Sequence, residues 1–266
     1  MNRYTIFGNP VSHSKSPSMQ NAGFKYLGLD CLYDKTQIKK QNIKDIFKQR
    51  DLSGANITLP HKEVAYELAD IVVGEANKIK AVNTYIKRGD KIVAYNTDGS
   101  GFMMAIKEFL PISSALIIGA GGTAKAIAVA LIEANIQTTV ANRTASKLKF
   151  FKDIGAKTTS TKNLNTNYIY NLIINATSVG LIDDTTPIPI NNLKKILKNC
   201  SYAFDCIYNK NTKFLSLSKM FCIKCKSGED MLLYQGVKAL ELWTNTKATK
   251  GLIKCMRDAL VNNTIS

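Results

Sequence analysis

The stretch from 114 to 131, SALIIGAGGTAKAIAVAL, runs a β-prone apolar segment through a glycine turn straight into an apolar helix pattern. Few folds accept that order. Gly119, Gly121 and Ala124 form G-x-G-x-x-A at the join. The first glycine permits a tight turn, and the second lets backbone approach a pyrophosphate at the helix N-terminus. The alanine lets the helix pack closely on the strand. Glycines and Lys125 interrupt the apolar run, so it reads as strand, turn and helix rather than as a membrane span. A glycine pattern alone also arises for packing reasons; the flanking strand and helix are what point to a dinucleotide.

The next strand, TTVA, ends in Asn142-Arg143-Thr144, with Lys147 just beyond. NAD sites place Asp or Glu there to hold the ribose hydroxyls, and neither is present. A carboxylate would repel a 2′-phosphate, whereas Arg143 can grip one bidentately. The blander role for Arg143 is to cap a loop. NADP is the cofactor expected over NAD.

Lys and Arg number 36 against 20 Asp and Glu, a formal charge of +16. Such an excess suits nucleic acid, an anionic membrane or anionic small ligands. The lysines are scattered, arginine is scarce, and no nucleic-acid-binding motif accompanies them, so no nucleic-acid role is expected. MNRYTIFGNP lacks the apolar core of a signal peptide, and a cytoplasmic protein is expected. Cysteines stand at 31, 200, 206, 222, 225 and 255, with one C-x-x-C, Cys222 to Cys225, in the strand-like KMFCIKCKS. No second pair has standard metal-binding spacing, so free thiols and no metal site are expected.

The first hundred residues alternate strand and helix: YTIFG, then SPSMQNAGFKYLG; CLYDKTQI, then IKDIFKQR; ANITL, then HKEVAYELAD. A hairpin follows, VNTYIK and KIVAYN around Arg88-Gly89-Asp90. The helix GSGFMMAIKEFL leads into a second α/β unit with strands SALIIG, TTVAN, YIYNLIINAT and SYAFDCIYN. MLLYQGVKALELWT and a last helix through Leu260 remain, free to pack back on the first unit. The expected fold is two-domain α/β. Residues 1–100 with 232–266 form a substrate-binding and catalytic domain, and 101–231 a Rossmann-type, doubly wound NADP-binding domain.

Lys62 is a local misfit. It follows the strand ANITL and Pro60, in the first turn of a helix, at the end where cations are disfavoured. Ser16 before Pro17 reads as an N-cap, and Ser14 and Ser16 together offer hydroxyls to a carboxylate. Asp98 also reads as an N-cap, and Asn83 as a polar strand residue facing solvent. His13 and His61 are the only histidines. His61 and Lys62 diverge on a helix, so a direct pair is not expected.

The stretches GNPVSHSKSP, GANITLPHKE, KAVNTY, NTDGSGF, IIGAGGTAKA, ANRTASK, INATSVGL, DCIYN and GEDMLLYQG together resemble the shikimate dehydrogenase family, in order and across nearly the whole chain. The resemblance implies reversible reduction of 3-dehydroshikimate to shikimate with NADPH, on the route to chorismate and the aromatic amino acids. It implies Lys62 as the acid/base, partnered by Asp98. Ser14 and Ser16 would hold the substrate carboxylate; Thr58, Asn83, Asp98 and Gln235 its hydroxyls, with Tyr208 also at the substrate. Gly119, Ala120, Gly121, Gly122, Thr123, Asn142, Arg143, Thr144, Lys147 and Gly228 match NADP-contacting positions. Three positions depart from the family pattern. His61 stands where an aromatic is common, Lys210 where a proline usually follows the Tyr-Asn pair, and Asp230 where glycine is frequent. Rival readings are an NAD-linked quinate/shikimate dehydrogenase, a non-catalytic NADP-binding regulator, and a nucleic-acid binder. Oligomeric state stays open, a homodimer included.

Overall fold

The computed structural model describes residues 1–39 and 42–262, and the chain divides into two units. The first comprises Met1–Gly101 with Leu232–Ser266, the second Phe102–Met231. Both boundaries fall inside helices, α5 (Asp98–Ala105) and α10 (Glu229–Thr244).

In the first unit, β1 (Asn2–Gly8) is flanked by parallel neighbours β2 (Cys31–Gln37) and β3 (Gly54–Ile57). The hairpin of β5 (Thr84–Arg88) and β6 (Lys91–Tyr95) joins β3 antiparallel, and β4 (Ile71–Val72) closes the far edge. The strand order is β2-β1-β3-β5-β6-β4. Alternation along β1 divides the core in two. Tyr4 and Ile6 face a cluster with α1 (Ser16–Tyr26), α10 and α11 (Lys250–Asn262), where Tyr4 and Phe24 rings lie 4.8 Å apart and Tyr4 and Trp243 rings 4.9 Å apart. Phe7 faces the other side, against α2 (Ile43–Gln49) and α3 (Lys62–Leu68). The C-terminal helices thus complete the first unit's core.

Two elements here were not read from the sequence: β4, of two residues, and α4 (Ala76–Ile79), of four. Neither is long enough to show a periodicity. Two caps also differ. α1 begins at Ser16 itself, and the Ser14 hydroxyl accepts from the Ser16 N–H at 3.3 Å. α5 begins at Asp98, with Thr97 before it. Neither Ser16 nor Asp98 is therefore the N-cap that its neighbours suggested.

The second unit is a parallel six-stranded sheet in the order β12-β11-β10-β7-β8-β9. Its strands are β7 (Ser114–Ile118), β8 (Gln137–Asn142), β9 (Lys157–Ser160), β10 (Leu172–Asn175), β11 (Tyr202–Asp205) and β12 (Lys224–Lys226). α6 (Gly122–Glu133), α7 (Lys149–Asp153), α8 (Ile190–Leu197) and α9 (Lys213–Met220) connect them. Counted from β7, this is the doubly wound 3-2-1-4-5-6 order, with its switch point between β7 and β10. β9 was not read from the sequence: its KTTS is short and polar, with no apolar alternation. The strand expected over YIYNLIINAT forms only as β10, and KMFCIKCKS divides between α9, a turn at Cys222 and β12.

Candidate active site

Lys62 is the first residue of α3, after a turn in which the His61 N–H donates to the Thr58 carbonyl at 2.9 Å. Its ammonium donates to Asp98 Oδ2, and the two side chains are only 9% and 6% exposed. A cation at a helix N-terminus is locally disfavoured. The carboxylate that compensates it comes from the start of α5, and removing either partner would leave a buried charge unpaired.

Asn83 organises the other side of Asp98. Far from facing solvent, it is 2% exposed. Its Nδ2 donates to Asp98 Oδ1 at 2.9 Å, to Thr97 Oγ1 at 2.9 Å and toward Gln235 Oε1 at 3.2 Å. Its Oδ1 accepts from the Thr97 N–H and the Thr84 hydroxyl, each at 2.9 Å. Thr97 Oγ1 in turn donates to the Gln235 carbonyl at 3.0 Å. Gly101 makes this approach of α5 and α10 attainable, because a Cβ there would lie 2.7 Å from the Gln235 backbone nitrogen.

Lys62, Asp98, Asn83 and Gln235 are therefore joined directly. Ser14 and Ser16 lie at the start of α1, buried to 5% and 2% exposure, and half-buried Thr58 follows β3. His61 is buried and turned away: its Nε2 pairs with the Ile38 carbonyl at 3.0 Å. Residues that sequence reasoning missed are Thr97, Asn96, whose Oδ1 accepts from the Asp98 N–H at 2.9 Å, and the buried pair Tyr33 and Asn56. Asn56 left a faint trace in the sequence, as a lone amide within the apolar ANI of β3.

In the second unit, Gly119 takes φ 121°, a region side chains disfavour, and a Cβ would meet the Ala176 carbonyl oxygen at 2.7 Å. At Gly121, before α6, a Cβ would meet nothing within 4 Å, so the helix N-terminus is open to close approach. Ala120 and Gly122 are buried, as is Ala124 against the sheet, and Thr123 lies in the first turn of α6. Past β8, Arg143, Thr144 and Lys147 are exposed, and Asn142 Nδ2 donates to the Thr144 carbonyl at 3.0 Å. These donors and cations, with no acidic side chain at the end of β8, fit a phosphorylated dinucleotide.

The loops after β10 and β11 are held by Asp205, which is fully buried. It accepts from Thr212 Oγ1 at 2.6 Å, from Asn175 Nδ2 at 3.0 Å and from the Ile207 N–H at 3.0 Å. Burial outweighs these donors and pushes its carboxyl up to about 6. Tyr208, in the second unit, follows this loop, and burial raises its phenol. The Gly228 N–H donates to the Ile207 carbonyl at 3.0 Å, and a Cβ on Gly228 would strike the Cys206 carbonyl oxygen. Lys210, at the family's proline position, donates to the carbonyls of Leu181 at 3.1 Å and Asp183 at 2.9 Å. Asp230 pairs with Lys226 at 2.9 Å, so its charge is compensated within the unit.

Comparison with known proteins bears on both units. Residues 6–85 match the shikimate dehydrogenase substrate binding domain, and 228–261 the shikimate 5′-dehydrogenase C-terminal domain. A shikimate dehydrogenase (NADP(+)) of Helicobacter hepaticus is 41% identical over 264 residues, covering 98% of each chain. One from Helicobacter pylori is 38% identical over 92% of this chain and 93% of its own. The crystal structure of Thermus thermophilus shikimate 5-dehydrogenase in complex with NADP(H) and shikimate superposes with a TM-score of 0.88 at 32% identity, covering 100% of both chains.

Proposed function

The chain belongs to the shikimate dehydrogenase family, and on that premise we propose that it is an NADP-dependent shikimate dehydrogenase, an oxidoreductase acting on a CH–OH group, with Lys62 as its acid/base. The observation that carries this reading is the buried Lys62–Asp98 pair backed by Asn83. When bound, NADPH would supply the hydride to the ketone carbon, and in the reverse direction NADP would take it from the CH–OH carbon. As the ketone is reduced, negative charge grows on its oxygen; the Lys62 ammonium stabilises that charge and delivers the proton. In the reverse direction the Lys62 amine takes the hydroxyl proton. Asp98 holds Lys62 in place, and Asn83 holds Asp98.

Ser14 and Ser16 are assigned to the substrate carboxylate, and Thr58, Asn83, Asp98, Gln235 and Tyr208 to the rest of the substrate. For the cofactor, Gly119 to Thr123 and the N-terminus of α6 are assigned to the pyrophosphate. Asn142, Arg143, Thr144 and Lys147 are assigned to the adenosine 2′-phosphate, and Gly228 to the cofactor as well. The reading extends to a cytoplasmic protein, monomeric or homodimeric, acting apart from nucleic acid and membranes. Six free cysteines agree with a reducing compartment, and no helix among the described residues is long and apolar enough to cross a membrane.

Steady-state oxidation of shikimate by Lys62→Ala tests the assignment. We expect kcat to fall by roughly 10²–10⁴, with the KM values changed far less and the circular dichroism spectrum retained. A near-native kcat would remove Lys62 from the chemistry.

A further inference from the structure

Between the aromatic core of the first unit and the Lys62–Asp98 pair runs a buried series of hydrogen bonds with one polarity. The Tyr33 hydroxyl donates to Asn56 Oδ1 at 2.7 Å. Asn56 Nδ2 donates to Thr84 Oγ1 at 3.2 Å and to the Asn83 carbonyl at 3.1 Å. Thr84 Oγ1 donates to Asn83 Oδ1, and Asn83 Nδ2 to Asp98 Oδ1, each at 2.9 Å. Every member is buried, at 1% exposure for Tyr33, 4% for Asn56, 0% for Thr84, 2% for Asn83 and 4% for Asp98. β-sheet register sets the middle of the series, since Asn56 on β3 stands opposite Thr84 on β5.

The polarity follows from what each group can do. A buried phenol stays protonated, and here burial holds it well above the usual range, so Tyr33 is a donor. Its proton occupies Asn56 Oδ1 and turns Asn56 Nδ2 toward Thr84. Thr84 carries a single proton. Already accepting from Asn56, it gives that proton to Asn83 Oδ1. Asn83 then presents its Nδ2, rather than its oxygen, to the Asp98 carboxylate. Without the Tyr33 hydroxyl, Asn56 Oδ1 loses its donor and only the Asn83 carbonyl, at 3.1 Å, keeps Asn56 Nδ2 turned toward Thr84, so the hold on the Thr84 proton and on Asn83 Oδ1 loosens. The Thr97 N–H still holds the same oxygen at 2.9 Å, so the effect is partial.

We propose that Tyr33, acting through Asn56 and Thr84, is a positioning residue that fixes the carboxamide of Asn83 toward Asp98 and the substrate. This rests on the reading of Asn83 and Asp98 as substrate-facing groups.

The test is kcat and KM for shikimate, at saturating NADP, in Tyr33→Phe, Thr84→Val, their double variant, Thr84→Ser and Asn83→Ala, with thermal unfolding of each. Asn83→Ala is expected to lose about 10- to 10²-fold in kcat/KM, the cost of leaving its buried polar partners unsatisfied. Tyr33→Phe and Thr84→Val are each expected to lose about three- to tenfold, the worth of one hydrogen bond, with KM for NADP unmoved. One shared series makes the losses non-additive, so the double variant should resemble Thr84→Val alone. Thr84→Ser, which keeps the hydroxyl, should recover most of the activity. Should Tyr33→Phe fail to fold, the Thr84→Val and Thr84→Ser pair decides by itself. Native kinetics in the series variants, or losses that multiply, would overturn the proposal if Asn83→Ala is still impaired. A native Asn83→Ala would instead overturn the site reading beneath it.

Discussion

Lys62 stands out among many lysines because of what lies at its own carboxylate partner. Asp98 has one oxygen on the ammonium and the other on Asn83, so neither charge is left without a polar partner in a site this buried. The sequence showed the misfit at Lys62 and, through family motifs, the name of its partner. It did not show Thr97 or Tyr33, whose contributions are hydrogen bonds across the fold. Arg143 has the opposite character: exposed, at the end of β8, with nothing acidic beside it in that loop. Replacing it with Asp is expected to raise KM for NADP by about tenfold or more, while KM for NAD stays level or falls. Parallel determination of both constants checks this, and equal changes would separate Arg143 from the 2′-phosphate.

At the level of elements, long periodic segments were legible and short ones were not. α10 and α11 carry an apolar face over sixteen and thirteen residues, and both were expected. β4, α4 and β9 run two, four and four residues and exist because neighbouring strands and helices hold them. The loops after β10 and β11 are another tertiary product. Asn175 and Asp205 stand opposite each other across paired strands, and Asp205 gathers both loops by side-chain bonds. Its carboxyl is raised from 3.8 to about 6, so between those pH values the folded state holds a proton there that the unfolded chain has lost. Stability from this group is therefore full below about pH 4 and is lost as pH rises toward about 6, by on the order of 2–3 kcal/mol. Asp205→Asn should flatten the dependence of unfolding free energy on pH across that window, as measured by denaturant titration at several pH values. An unchanged slope would mean that Asp205 ionises in the folded protein as it does in the unfolded chain.

The whole molecule joins a discontinuous unit, which leaves at Gly101 and resumes at Leu232, to a doubly wound unit inserted between. In the sequence the second α/β unit reads as complete in itself, and two helical segments remain beyond it. Net charge acts at this scale too. With +16 on the chain, capture of anionic shikimate and NADP is expected to be steered, so kcat/KM should fall several-fold between low and physiological ionic strength while kcat holds. A kcat/KM flat in salt would leave the charge as composition alone. The most direct test of the assigned activity is absorbance-monitored reduction of NADP by shikimate, with quinate and NAD as alternatives. We expect saturable turnover with shikimate and NADP, at a kcat/KM on the order of 10² above either exchange. No turnover with that pair, or a preference for quinate and NAD, would contradict it.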